Sequence, residues 1–186
     1  MEKFIEIFMK LDSNNNNNNN GGFIEKNELI QYCEKEDMDM RMVNEWLKPF
    51  NFNSLGKISF REFCVVFGLQ YEEMIMEKKD RENMADGLSP KLDSDITIFS
   101  TSMSLQKQVD ITNVFKEMLN KKYTDEKSII VIVNDIKKYL DEKYGKLWQV
   151  FIIDGSFWSN YSHEPFLAIE FMYDKFRCVI WRSPVD

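Results

Sequence analysis

Apolar residues in the first seventy positions recur at helical spacing in four short runs. Phe4, Ile5, Phe8 and Leu11 form the first, and Leu29, Ile30 and Cys33 the second. Met42, Val43, Trp46 and Leu47 form the third, and Phe60, Phe63, Cys64 and Phe67 the fourth. A polar loop separates the first run from the second: Asp12-Ser13, seven asparagines at 14–20, then Gly21-Gly22. A shorter one, residues 51–57, separates the third from the fourth. The helix–loop–helix unit thus occurs twice, as an internal duplication would leave it. A charged stretch, 72–86, is expected to extend the fourth helix, until Gly87 and Pro90 break it and a Ser/Thr/Asp-rich linker follows.

The pattern then changes. Residues 96–99 predict a short strand and 105–121 a helix. Thr124 is the expected N-cap of a second helix, with Asp125 and Glu126 in a first turn where the helix dipole favours acids. Ile129, Ile132, Val133, Ile136 and Leu140 make one apolar stripe on that helix, and Gly145 suits the position just past its end. Three β-rich runs follow at 148–153, 166–173 and 176–181, the last two joined by an Asp174-Lys175 turn; residues 157–162 are a candidate further strand. The expected class is α+β: an all-helical pair over 1–70, a helical extension and linker over 71–94, and two helices on an antiparallel sheet over 95–186.

Charge sharpens the division. Residues 1–86 carry 11 Lys/Arg against 17 Asp/Glu, and residues 87–186 carry 13 against 14. An acidic chain without a basic cluster is repelled by phosphate backbones, which argues against nucleic acid as a partner. No apolar run reaches membrane-spanning length, and the acids of Met1-Glu2-Lys3-Phe4-Ile5-Glu6 do not suit a signal peptide. Cys33, Cys64 and Cys178 stand far apart among apolar neighbours, as buried reduced thiols of a cytosolic protein do.

The two polar loops carry the candidate chemistry. An EF-hand loop places oxygen ligands at positions 1, 3, 5, 7, 9 and 12, glycine at 6 and a bidentate Glu at 12. In the second loop this alignment gives Asn51, Asn53, Leu55, Gly56, the carbonyl of Lys57, Ser59 and Glu62, with Ile58 at the position that pairs two loops. Only one of these ligands is charged, which predicts weak calcium binding. In the first loop Gly22, Ile24, Glu25 and Glu28 keep the same mutual register, but Asp12 to Glu28 spans 17 residues where 12 are needed. Two registers are open: Asn17 and Asn19 as positions 1 and 3, or Asp12 and Asn14 as ligands with the surplus asparagines bulging outward. The second keeps a charged first ligand and is preferred narrowly, since lengthening a loop costs little. The expected cofactor is therefore Ca2+, held weakly at one or two sites, or at none if the loops survive only as turns.

Tyr144-Gly145-Lys146-Leu147-Trp148, followed by Phe157-Trp158-Ser159-Asn160-Tyr161-Ser162-His163-Glu164, resembles the dynein light chain signature. The resemblance covers about residues 96–183. An EF-hand pair followed by such a domain resembles the tegument-allergen-like calcium-binding proteins of parasitic flukes. It implies an intracellular adaptor, beneath the surface membrane or associated with the cytoskeleton and microtubule motors, that forms homodimers and takes an extended peptide as an added strand. The matching partner edge is Phe157, Trp158, Ser159, Asn160, Tyr161, Ser162 and His163, with Glu126 and Lys127 from the second helix's amino end. Trp158, Asn160 and Gln149 depart from the family pattern, standing where it has a glycine, an aromatic residue and a histidine. No enzyme is expected: the neighbours Ser162, His163 and Glu164 point alternately to opposite faces of a strand and cannot form a triad. The competing reading is a metal-independent interaction protein with degenerate loops.

Overall fold

A computed structural model describes residues 1–17, 23–50, 56–88 and 90–184, with the side chains of 15–17 left out. The chain divides into two compact units, Met1–Lys79 and Asp80–Asp186. The boundary falls within one helix.

The first unit holds α1 (Glu2–Asn17), β1 (Phe23–Glu25), α2 (Lys26–Lys35), α3 (Met40–Leu47), β2 (Lys57–Ser59), α4 (Phe60–Val66) and the first part of α5 (Tyr71–Ala85). Its core is aromatic. The Phe8 and Phe63 rings stack at 3.8 Å, and Phe4 lies 5.1 Å from Trp46. Phe4, Ile5, Phe8, Leu29, Cys33, Val43 and Cys64 are all essentially inaccessible, so the helical spacing read from the sequence does converge on one core.

Two boundaries differ from expectation. Helix α1 runs on through Asp12 to Asn17 instead of ending in a loop at Asp12. The charged stretch does not extend α4 but forms the separate helix α5. Gly68, at φ +64°, ends α4: the Gly68 amide donates to the Val65 carbonyl (3.2 Å) and the Leu69 amide to that of Cys64 (2.9 Å). This is a Schellman stop, which needs a left-handed residue that glycine supplies without strain.

The second unit holds the end of α5, then β3 (Ile96–Thr101), α6 (Leu105–Lys122), α7 (Ser128–Lys143), β4 (Trp148–Ile153), β5 (Ala168–Tyr173) and β6 (Phe176–Arg182). The sheet is antiparallel in the order β3-β5-β6-β4. Alternate residues Trp148 and Val150, Ile169 and Phe171, and Phe176, Cys178 and Ile180 face Phe115, Leu119, Ile132, Ile136 and Leu140 of the two helices in one core. Asp174, at φ +53°, makes the β5–β6 turn, and Gly145, at φ +85°, follows the end of α7.

The start of α7 is a correction. The helix begins at Ser128, not after a Thr124 cap. The Asp125 carboxylate accepts from the Ser128 amide (3.0 Å), and the Ser128 hydroxyl oxygen accepts from the Thr124 amide (3.1 Å). Asp125 therefore takes the accepting part expected of Thr124, one residue further along, and receives the Ser128 amide. The candidate strand at 157–162 also fails to form, for a reason given below.

Candidate metal centre and partner surface

The exiting halves of both loops are built alike. β1 pairs antiparallel with β2, with Ile24 opposite Ile58, and both isoleucines are buried. Each strand ends on the residue that precedes a helix, Glu25 before α2 and Ser59 before α4, and each helix carries Glu at its third residue, Glu28 and Glu62. Gly56, at φ +68°, makes the sharp turn, and its carbonyl accepts from the Lys26 amide at 2.9 Å, tying the two loops together. Gly56, the paired isoleucines and the two glutamates thus stand as a duplicated calcium loop needs them.

Glu62 is already engaged. Its carboxylate accepts from the Ser59 amide (2.8 Å) and hydroxyl (2.7 Å), while its own amide donates back to the Ser59 hydroxyl oxygen (3.3 Å). This capping box holds the Glu62 carboxyl below the ordinary glutamate value, the Ser59 amide being the main cause. Glu25 forms an ion pair with Lys57 at 3.3 Å across the β1–β2 pair. Among the described residues no three Asp, Glu, His or Cys side chains converge as a metal cluster would.

Asn19, Asn51 and Asn53 lie outside the described residues, and Asn17 is described only as the last residue of α1. Asp12 and Asn14 do not open the first loop. Both are inside α1, Asn14 exposed and Asp12 3% exposed, its carboxylate paired with the ammonium of Lys78. With the helix continuing to residue 17, the span from there to Glu28 has the standard length of twelve. Residues 14–17, the first part of the asparagine tract, therefore belong to the entering helix. The helical backbone at Asp12 and Asn14 thus differs from the preferred register, while Asn19, on which the other one depends, lies outside the described residues.

In the second unit the partner residues do not form a strand. Residues 156–164 make no ladder. Phe157 lies against the Arg177 guanidinium (4.8 Å), which also contacts the Phe99 ring (4.5 Å), and Tyr161 stacks on Trp181 at 4.3 Å. Arg177 and Trp181 belong to β6, whose two sides are taken by β5 and β4, so a segment lying over them finds no free ladder. Side-chain stacking fixes it instead. Ser159, Asn160 and Ser162 are exposed, and Trp158 is 94% exposed. His163 is half-buried, its Nδ1 2.9 Å from the Glu164 carbonyl oxygen. Glu126 and Lys127 are exposed in the turn before α7.

The end of the segment is anchored by a feature the sequence did not single out. Arg182, 5% exposed, donates through Nε to Glu164 (2.7 Å) and through Nη1 to the Tyr144 carbonyl (2.6 Å), and its Nη2 also pairs with Glu164. Beside it, Asp110 of α6 accepts from the hydroxyls of Tyr139 (3.0 Å) and Tyr144 (2.8 Å) and from Lys143 (2.6 Å). Burial and then Asp110 push the Tyr144 phenol far above its ordinary value. Of the Glu164–Arg182 pair only Glu164 stands in the signature; Arg182 lies 18 positions beyond it, and no local spacing links the two.

All three cysteines are free and buried. Burial raises Cys33 to about 11 and Cys64 to about 12, and pushes Cys178 well up. Among the described residues no helix is long and apolar enough to cross a membrane.

The chain resembles known proteins along nearly its whole length. The family model described as Dynein light chain type 1 matches residues 95–183. A Schistosoma mansoni protein named Tegument antigen is 39% identical over 184 residues, covering 99% of this chain and 94% of its own. Antigen Sm21.7 of the same organism is 34% identical over 184 residues, covering 99% and 97%. Among solved structures, the dynein light chain-like domain of the Fasciola hepatica calcium binding protein FhCaBP2 is 40% identical, covers 52% of this chain and 100% of its own, and has a TM-score of 0.49. The calmodulin-like domain of CsTAL3 is 29% identical over 44% of this chain and 96% of its own, with a TM-score of 0.35. Full-length identity to the two antigens, with the family match over the second unit, establishes that the chain belongs to the tegument-antigen family of flukes and carries a dynein-light-chain-like domain as its second unit.

Proposed function

We propose that this protein is a calcium-responsive adaptor of the cell interior, not an enzyme, in which the first unit takes a divalent cation and the second docks another chain. The observation that carries the reading is the paired register of the two loops: Ile24 opposite Ile58, with Glu28 and Glu62 each at the third residue of the following helix. A cation would be held by Glu28 with oxygens of the residue 17–25 segment, and by Glu62, Ser59 and the Lys57 carbonyl with Asn51 and Asn53. It would supply a charge-dependent ordering of the loops.

For the second unit, support comes from the strand order, which leaves β3 and β4 each with one unpaired side among the described residues. A peptide or a second copy of the chain would add to such an edge by main-chain hydrogen bonds. The name of one relative, Tegument antigen, favours a place at the tegument. The test is calorimetric calcium titration of the full chain with magnesium competition, for wild type, Glu28→Gln and Glu62→Gln. Heat that diminishes in either variant supports the reading; no heat and no mobility change at millimolar calcium refutes it.

A second reading has its own support. Glu62 already serves the α4 cap and Glu25 already pairs with Lys57, so both loops have internal partners for acidic oxygens. On this reading the protein is a constitutive interaction module. Sedimentation with calcium and with chelator separates the two, because a constitutive assembly is the same in both.

A further inference from the structure

The first part of α5 lies on the helix pair as an additional helix. Tyr71, Met74 and Lys78 are spaced by three and four, so they share one face. Met74 is 3% exposed; the Tyr71 ring lies 6.0 Å from that of Phe60, and the Arg61 guanidinium lies 4.2 Å over Tyr71. Lys78 sends its ammonium to the Asp12 carboxylate of α1, 6.0 Å above the Phe60 ring. One turn before Asp12, Phe8 stacks on Phe60 and Phe63. The side chains of Asp12 and Lys78 are 4% and 11% exposed, so the pair is largely desolvated.

Helix α1 is the one that leads into the first loop, and a buried pair tying it to α5 resists any change in its angle. Separating the pair would leave two poorly solvated charges. Cation loading of a sensor loop reorients the entering helix against the exiting one. Such a movement of α1 draws Asp12 away from Lys78.

We infer that residues 71–78 are a built-in occupant of the helix pair, latched by Asp12 and Lys78, and that calcium loading of the first loop and release of this segment are linked. The inference rests on the calcium reading above. Linkage is reciprocal: weakening the latch tightens calcium binding, and calcium loosens the segment.

The test uses the full chain. Calcium affinity is measured by calorimetry for wild type, Asp12→Asn, Lys78→Met and Lys79→Met, and amide exchange over 71–78 is followed in wild type with chelator and with calcium. Asp12→Asn is the decisive variant. A lost acid weakens calcium binding if Asp12 acts as a ligand or through its charge, whereas a lost latch tightens it, by about five-fold or more. Lys78→Met is expected to tighten binding likewise. Lys79→Met makes the same charge change at an exposed neighbour and is expected to do much less. Calcium is expected to speed exchange at 71–78 in wild type, a result that requires no variant to fold. An Asp12→Asn protein that binds calcium no more tightly, or a loaded wild type whose 71–78 amides stay protected, overturns the latch and leaves the calcium reading standing. No uptake by any of the proteins overturns both.

Discussion

Removal of Glu164 should destabilise the second unit far more than its place at the end of an irregular segment suggests. The Arg182 side chain is 6% exposed and that of Glu164 20%, and the guanidinium has Glu164 and the Tyr144 carbonyl as acceptors. Breaking a buried pair by removing one partner costs about 3–5 kcal/mol, chiefly through the charge left uncompensated. The partial exposure of Glu164 admits some screening, so about 2–3 kcal/mol is expected for Glu164→Ala. For a unit of roughly a hundred residues that lowers Tm by about 10–20 °C. Three of the four tryptophans, Trp148, Trp158 and Trp181, lie in this unit, so fluorescence-detected urea unfolding mainly follows it. The measurement is a double-mutant cycle with Glu164→Ala, Arg182→Ala and both, with a coupling above about 1 kcal/mol expected. A loss below about 0.5 kcal/mol for Glu164→Ala, within the range of an ordinary surface change, or strict additivity of the two losses, refutes the reasoning.

Three further outcomes are expected. Ser59→Ala should cost the α4 cap about 1 kcal/mol, and the contribution of Glu62 follows its depressed carboxyl: present above the ordinary value of 4.5, it is lost as pH falls through the lower folded value. Urea midpoints between pH 3 and 7 test both, and equal midpoints for variant and wild type would contradict them. Gly68→Ala should cost about 1–2 kcal/mol, since a Cβ there meets open space but the backbone keeps φ +64°; an unchanged urea midpoint would remove the Schellman account of the α4–α5 break. Cys33, Cys64 and Cys178 should all resist a thiol reagent at neutral pH in the folded protein and react fully in denaturant; fast native labelling of any one would show its burial to be wrong.

Much of the fold was legible because it is written in local periodicity. The spacing of Phe4, Phe8 and Leu11, or of Ile132, Ile136 and Leu140, fixes which face is buried whatever it packs against. Strand 148–153 and the Asp174 turn were readable for the same reason. So was the mutual register of Gly56, Ile58 and Glu62, because a calcium loop is a contiguous piece of chain. The break at Gly68 was also within reach: a glycine after Phe63, Cys64 and Phe67 marks a helix end, and the charged run beyond it outweighed that signal.

What the sequence by itself determined is the duplicated helix–loop–helix, the change to a sheet-forming second half, and three thiols placed among apolar neighbours. Each follows from residues close in the chain, whose spacing alone sets their faces. Only the tertiary structure decided that Asp12 pairs with Lys78, 66 positions away, instead of opening a loop. It alone decided that residues 157–161 lie over β6 instead of joining the sheet, and that Arg182 closes on Glu164. Those outcomes depend on which distant group is already satisfied: a carboxylate takes the cation that reaches it in the dry interior, and a strand forms only where a neighbour has a free ladder.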